Sequence, residues 1–310
     1  MTKTKIAVIG SGSLGRHHAR NLGALDDVQL VAVVDPSEER GRAAAEMGKT
    51  SWLPRIEDLP QDLAAVSIAA PTPLHFELAK RFLERGVHVM VEKPMCATLD
   101  EAERLVTIAD ASKRVLQVGH IERFNPVLEL LPRGDLGVRA LTMERLTPHT
   151  GRSTDTSVVF DLMIHDIDLA RALAKSEVTG VSATTGVVSG PLADWAEARL
   201  SFENGVVATL VASRVAAERS RKTRVYCAGQ VFDIDLDKRK LAVTALGPDG
   251  GLPKVTAADG TQEEPLKREL VDFVRCVRER GAPRVDARAG LQAIRVADAV
   301  LASGRDVRRA

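Results

Sequence analysis

Short apolar runs recur along the first 120 residues and alternate with amphipathic stretches. The runs are rich in Val, Ile and Ala and continuous rather than alternating, which is typical of strands buried on both faces of a parallel sheet. Strands are predicted at 5–9, 28–34, 50–52, 63–70, 87–91 and 115–119. Helices are predicted after Gly15 and after Pro36, and over 74–84 and 99–111. This alternation predicts an α/β fold with a doubly wound parallel sheet.

The pattern changes after Gly119, where strands with alternating polarity become common. In 195–202, apolar and polar residues alternate as in a half-buried antiparallel strand. Further strands are predicted at 181–188, 206–215, 222–228, 231–237 and 241–246, helices at 161–173, 265–280 and 287–302, and a loop at 247–260. We therefore predict two domains, the doubly wound α/β domain at 1–121 and an α+β domain with a mostly antiparallel sheet at 122–310.

Composition and charge are those of an ordinary globular protein. The 310 residues are 45% hydrophobic and 27% charged, with a net charge of +1, so neither nucleic-acid nor membrane binding is predicted. Cys96, Cys227 and Cys276 are widely spaced, which fits neither a disulfide framework nor a zinc site. With the first strand beginning near residue 3, we expect a cytoplasmic protein without a signal peptide.

The segment Gly10-Ser11-Gly12-Ser13-Leu14-Gly15 follows the first strand directly. In a dinucleotide-binding turn, the first glycine allows the bend, the second lets the backbone approach the pyrophosphate, and the third lets the helix pack on the strand. Asp35 ends the second strand, 20 residues after Gly15, where the acid that binds the adenosine ribose is expected. Residues 1–121 are therefore predicted to be a dinucleotide-binding Rossmann domain. NAD is its predicted cofactor, with NADP as the alternative because Ser37 and Arg40 lie close in sequence. The competing interpretation is a structural turn with Asp35 as a helix cap.

Several polar segments follow the carboxyl ends of the later strands, where ligands bind on such sheets. They are Pro71-Thr72-Pro73, Glu92-Lys93-Pro94 and Gly119-His120-Ile121-Glu122-Arg123-Phe124-Asn125-Pro126. Further along, Asp161 and His165 are four residues apart and would share one face of a helix, so the carboxylate can orient the imidazole. Asp168, three residues after His165, is the alternative carboxylate. By itself such a histidine is more often a surface or core residue.

The glycine turn, the segment Ala-Ala-Pro-Thr-Pro-Leu-His (69–75), the Glu-Lys-Pro triplet and the later Asp-x-x-x-His together resemble the Gfo/Idh/MocA family. The resemblance covers nearly the whole chain. It implies an NAD(P)-dependent oxidoreductase that transfers a hydride between a nicotinamide and a sugar hydroxyl carbon. It also implies a C-terminal sheet that makes oligomer contacts, here a homodimer or homotetramer, and no metal.

The resemblance assigns roles to individual residues. The catalytic residues it implies are Lys93, Asp161 and His165. The cofactor contacts are Gly10, Gly12, Ser13, Leu14, Gly15, Asp35, Ala70, Thr72, His75, Glu92 and Lys93. The substrate contacts it implies are Lys93, Asp161 and His165. His120, Arg123 and Asn125 are predicted to contact the substrate as well, because their segment follows the sixth strand and should face the same crevice. The alternatives are a surface His75, a Lys93 paired with Glu92 or solvent, and an Arg123 in a structural ion pair. His17, His18, His88 and His149 are assigned no chemical role.

The segments 119–126 and 161–169 are similar to a bacterial branch of the family that oxidises the 3-hydroxyl of UDP-N-acetylglucosamine. That substrate would need cationic contacts for its diphosphate, for which Arg123, Arg152 and Arg214 are candidates. The alternatives are a myo-inositol or free-sugar dehydrogenase, a reductase acting on a bilin or an imine, and a non-catalytic NAD(P)-binding sensor.

Overall fold

The six apolar runs of the first 120 residues form one parallel sheet. Its strands are β1 (Thr4–Ile9), β2 (Val28–Val34), β3 (Ser51–Leu53), β4 (Ala65–Ile68), β5 (His88–Glu92) and β6 (Leu116–Gly119). The order across the sheet is β3-β2-β1-β4-β5-β6, so the winding reverses between β1 and β4, where dinucleotides bind on such sheets. The predicted doubly wound sheet is confirmed. The computed structural model describes residues 2–149, 156–189, 191–247 and 252–307.

Four helices connect these strands: α1 (Gly15–Gly23), α2 (Glu38–Met47), α3 (His75–Glu84) and α4 (Leu99–Ser112). Local signals account for where α2 and α4 begin. The Ser37 side chain accepts the Arg40 N–H at the start of α2. Thr98 and Glu101 form a reciprocal capping box at the start of α4, which satisfies N–H groups that have no partner within the helix.

Nine strands of the described part of the chain form the second sheet. They are β7 (Val138–Leu146), β8 (Val178–Gly186), β9 (Trp195–Phe202), β10 (Val207–Ser213), β11 (Ser220–Cys227), β12 (Gln230–Asp235), β13 (Lys240–Ala245), β14 (Lys254–Asp259) and β15 (Arg305–Val307). The order is β14-β13-β12-β11-β7-β10-β9-β8-β15. Only β7 with β10 and β8 with β15 pair in parallel among the described strands. The mostly antiparallel second sheet is therefore confirmed.

Two of these strands correct the sequence interpretation. No element was predicted over β7, although it lies between β11 and β10 inside the sheet. Its inward positions include Leu141, Met143 and the fully buried Arg145, and this arginine breaks the apolar alternation. The loop predicted over 247–260 is wrong at β14, whose six residues are all exposed and so give no burial pattern.

A helical segment covers the second sheet. Its first turn, Val159–Met163, is a π-helix, and α5 (Ile164–Ala174) continues from it. Ile167 of α5 belongs to one apolar core with Leu141, Leu200 and Leu210 of the sheet. The helix predicted over 161–173 is thus present, but its first turn is wider than an α-turn.

The chain divides into two units, and two further helices, α6 (Pro265–Glu279) and α7 (Ala287–Ser303), show where the chain changes unit. Unit 1 contains Met1–Phe124 with Glu264–Leu291, and unit 2 contains Asn125–Glu263 with Gln292–Ala310. The predicted domains were 1–121 and 122–310. The main difference is that α6, which the prediction placed in the second domain, belongs to unit 1. There Leu270 and Phe273 share a core with Ile6 and Ala19. In the part of the chain described, no helix is both long and apolar enough to cross a membrane.

Candidate active site

The glycine turn after β1 has the geometry of a phosphate-binding turn. Gly10 has φ of 94°, and a Cβ there would lie 2.7 Å from the Ala69 carbonyl oxygen. A Cβ at Gly15 would lie 2.0 Å from the Gly10 carbonyl oxygen, whereas one at Gly12 would meet no described atom within 4 Å. The first and third glycines are therefore required by the protein itself, and the second leaves room for a ligand at the start of α1. This arrangement fits a dinucleotide pyrophosphate.

Asp35 at the end of β2 is held close to this turn. Its carboxylate accepts the Ser11 N–H at 2.9 Å and the Ser37 N–H at 2.8 Å, and the Arg40 guanidinium lies 3.2 Å away. Burial works to raise the pKa of Asp35, but these hydrogen bonds and the Arg40 charge outweigh it and hold the pKa below its usual value. An ionised acid beside the glycine turn is what recognition of a ribose diol requires.

The segment after β4 contains the next predicted contacts. Ala70 and Thr72 are half-buried, and Thr72 begins a short 3₁₀ turn before α3. The His75 side chain is buried, with Nδ1 2.9 Å from the Pro94 carbonyl and Nε2 2.8 Å from the Ala70 carbonyl. His75 therefore joins the segment after β4 to the segment after β5 and is not a surface residue. Its contact with the cofactor stays a prediction.

The Glu92-Lys93-Pro94 triplet follows β5. Lys93 is half-buried, and its backbone N–H lies 3.3 Å from the Glu92 carboxylate. Glu92 is buried and lies 2.9 Å from Nε2 of His18 on α1. The sequence interpretation gave His18 no role. Its signal was its position on the buried stripe of α1 with Gly15, Ala19 and Leu22, a pattern that directs a helix residue toward the sheet.

Two of the predicted substrate-contacting side chains after β6 form hydrogen bonds within the protein. His120 is buried. The Arg123 guanidinium donates to the Arg284 carbonyl at 3.3 Å within unit 1. In unit 2, the buried Asn125 donates to the Leu236 carbonyl at 2.9 Å and accepts the Val127 N–H. These bonds give Arg123 and Asn125 structural roles, and the predicted substrate contacts of all three residues stay predictions.

Unit 2 holds the Asp161–His165 pair on neighbouring turns of the π-helix and α5. Both side chains are half-buried, whereas Asp166 and Asp168 are buried. Asp166 makes a two-point ion pair with Arg145 of β7, at 3.0 and 2.7 Å. This pair fixes α5 on the sheet one residue from His165. Asp161 is thus the more accessible carboxylate, and π-turns are frequent at functional sites.

The two other arginines considered for a diphosphate lie in unit 2. Arg214 is buried and donates to the backbone carbonyls of Thr156 and Ala193, so its charge is committed to the fold. Arg152 lies outside the described residues.

Comparison with known proteins decides the family. A profile described as an oxidoreductase family with an NAD-binding Rossmann fold matches residues 4–120. A second, for the Gfo/Idh/MocA C-terminal domain, matches residues 138–232. The chain belongs to the Gfo/Idh/MocA family. It is accordingly an NAD-dependent oxidoreductase acting on a CH–OH group, and the predicted cofactor NAD and family are confirmed.

Named relatives of this Gfo/Idh/MocA chain include dehydrogenases of different sugars. The chain is 35% identical to UDP-N-acetylglucosamine 3-dehydrogenase of Acidithiobacillus ferrooxidans, over 89% of this chain and 90% of that protein. It is 28% identical to scyllo-inositol 2-dehydrogenase (NAD⁺) of Bacillus subtilis, over 91% and 89%. A solved structure of the Acidithiobacillus enzyme superposes with a TM-score of 0.91 at 32% identity, covering 98% of both chains.

Proposed function

We propose that this protein oxidises the 3-hydroxyl of UDP-N-acetylglucosamine and passes the hydride to NAD. The observation that carries the proposal is the similarity to UDP-N-acetylglucosamine 3-dehydrogenase along nearly the full length of both chains. The inositol dehydrogenase from Bacillus subtilis is similar over as much of the chain but at lower identity. Inositol oxidation is therefore the second candidate.

The chain's own residues divide the work of such a reaction. The turn at Gly12 receives the pyrophosphate, and Asp35 accepts hydrogen bonds from the adenosine ribose. When bound, NAD supplies the hydride acceptor at C4 of its nicotinamide. We assign proton removal from the sugar hydroxyl to His165, with Asp161 orienting the imidazole. Lys93 donates a hydrogen bond to the same oxygen, which stabilises the negative charge that develops as the proton leaves.

A substrate panel tests this function. The protein is incubated with NAD and UDP-N-acetylglucosamine, UDP-glucose, N-acetylglucosamine or myo-inositol. The equilibrium of the oxidation is expected to be uphill near neutral pH, so an aminotransferase or a carbonyl trap must remove the 3-keto product. We expect UDP-N-acetylglucosamine to give the highest kcat/KM, roughly 100-fold above myo-inositol, because unfilled polar contacts weaken a smaller substrate.

UDP-glucose and N-acetylglucosamine are the matched controls, since each lacks one recognition element of the nucleotide sugar. Faster turnover of myo-inositol or a free hexose would replace the nucleotide-sugar function with that of a polyol dehydrogenase. Binding of NAD without turnover of any sugar would favour the sensor alternative.

A further inference from the structure

A histidine of α1 is buried beneath the segment that carries Lys93. The His18 side chain has no exposed surface. Its Nε2 lies 2.9 Å from Oε1 of Glu92, the last residue of β5, and its Nδ1 lies 2.7 Å from Oγ of Ser67 on β4. One side chain thus connects a helix and two neighbouring strands at the carboxyl end of the parallel sheet.

β6, the other neighbour of β5, leaves space for the Glu92 carboxylate. Gly119 of β6 pairs with Glu92 across the sheet. A Cβ at Gly119 would lie 2.8 Å from Oε2 of Glu92, closer than real contacts allow. That Oε2 is the atom that accepts the Lys93 backbone N–H. The Glu92 carboxylate is therefore held by the His18 side chain on one side, and on the other side it fits only because Gly119 has no side chain.

The charge on Glu92 depends on the same contacts. Burial works to raise its pKa, but the hydrogen bond and charge of His18, with the charge of Lys93, hold the pKa below its usual value. An ionised carboxylate only accepts hydrogen bonds, so Nε2 of His18 is the donor in this contact. Without that donor, a buried charge would lose a partner and would move toward water or toward Lys93.

We infer that His18 is a positioning residue, which fixes the Glu92 carboxylate and through it the place of Lys93. This inference rests on the role proposed for Lys93. His18 also lies three residues after Gly15, so the helix that presents its N-terminus to the pyrophosphate carries the residue that orients Glu92. Cofactor binding and the placement of Lys93 thereby share one rigid element.

A double-mutant cycle tests whether His18 acts through Glu92. The variants are His18→Leu, Glu92→Leu, which removes the acceptor, and the double variant, with His18→Gln to restore an N–H donor. His17→Leu on the same helix is the matched control. Each is assayed for kcat with the sugar that the wild-type protein oxidises fastest, for the NAD dissociation constant by calorimetry, and for Tm.

We expect His18→Leu to lower kcat roughly tenfold or more while the NAD dissociation constant changes less than about threefold. His18→Gln should recover most of the loss, and His17→Leu should leave kcat within about twofold of wild type. In the Glu92→Leu background, where no acceptor remains for His18, His18→Leu should have almost no further effect. Equal losses of kcat in both backgrounds, or a loss confined to NAD affinity, would overturn the inference. If His18→Leu does not fold, His18→Asn takes its place, since its shorter amide does not reach Glu92.

Two further measurements separate this inference from the proposed function. Full turnover by Lys93→Ala would refute the role of Lys93 itself. Lost turnover in Lys93→Ala with normal kcat in His18→Leu would refute only the positioning role. Crystal structures of wild type and His18→Leu with NAD need no sugar: we expect Glu92 and Lys93 to be displaced in the variant, and unmoved residues would refute the inference.

Discussion

Replacing Asp35 should change which cofactor the protein prefers. Asp35 already accepts hydrogen bonds from the Ser11 and Ser37 N–H groups, and Arg40 lies at a longer 3.2 Å. A carboxylate offers about four acceptor positions, so at least one remains for a ribose hydroxyl. Asp35→Ser removes that acceptor together with its charge, and Asp35→Asn removes the charge while nearly keeping the shape.

The magnitude follows from these contacts. One charge-assisted hydrogen bond contributes about 1.5–3 kcal/mol, so NAD should bind roughly 10- to 140-fold more weakly to Asp35→Ser. The affinity for NADP should fall little or rise, because the variant removes the repulsion between the Asp35 carboxylate and the 2′-phosphate. Like charges about 4 Å apart repel by about 4 kcal/mol at an effective dielectric constant of about 20. Because the pKa of Asp35 is held low and the 2′-phosphate of NADP is fully charged above its second pKa of about 6, the wild-type preference should be constant between about pH 7 and pH 8. The preference should weaken as the phosphate gains a proton at about pH 6 and should be lost as the pH falls through the lowered pKa of Asp35.

Calorimetric titration of NADH and NADPH into wild type, Asp35→Ser and Asp35→Asn measures these affinities. Arg40→Ala is the control, because it removes an exposed partner of Asp35 without removing the acceptor; the NADH affinity should change by less than about threefold. Melting temperatures show whether each variant is folded. Tighter binding of NADPH than of NADH by the wild-type protein, or an unchanged preference in Asp35→Ser, would refute the reasoning.

Three other predictions concern catalysis and stability. Lys93→Ala and His165→Ala should each lower kcat roughly 100-fold or more with NAD affinity nearly intact; wild-type kcat in both variants would contradict the assigned roles. Arg145→Met leaves buried Asp166 without its two-point partner and should lower the free energy of unfolding in urea by about 3–5 kcal/mol, whereas changing both residues to apolar ones should cost less. Burial and two neighbouring arginines lower the pKa of His88 to about 4. The free energy of unfolding should therefore fall as the pH drops from about 6.5 to about 4, and less steeply in His88→Gln; identical slopes would show that another group is responsible.

The sequence by itself determined the elements of unit 1 and the cofactor turn. The parallel strands are continuous apolar runs bounded by glycine, proline or acids, and these local patterns also predicted that Gly10 and Gly15 must lack a side chain. The position of Asp35 was likewise predicted, because its spacing from the turn follows from one helix and one strand. The resemblance to the family added the triplet and the Asp161–His165 pair. Oligomeric state and cellular location stay predictions.

Only the tertiary structure decided which distant residues meet. The apolar stripe of α6 predicted a buried face but not that this face lies in unit 1, because amphipathicity does not name its partner. β7 was not predicted because Arg145 stands at an inward position and interrupts the apolar alternation. Its burial depends on the ion pair with Asp166, 21 residues away. His18 and Glu92 are 74 residues apart. The buried stripe of α1 directs His18 toward the sheet, but nothing in the local sequence names Glu92 as its partner. Such contacts depend on the order of the strands in the sheet, and that order is determined by the packing of the whole sheet.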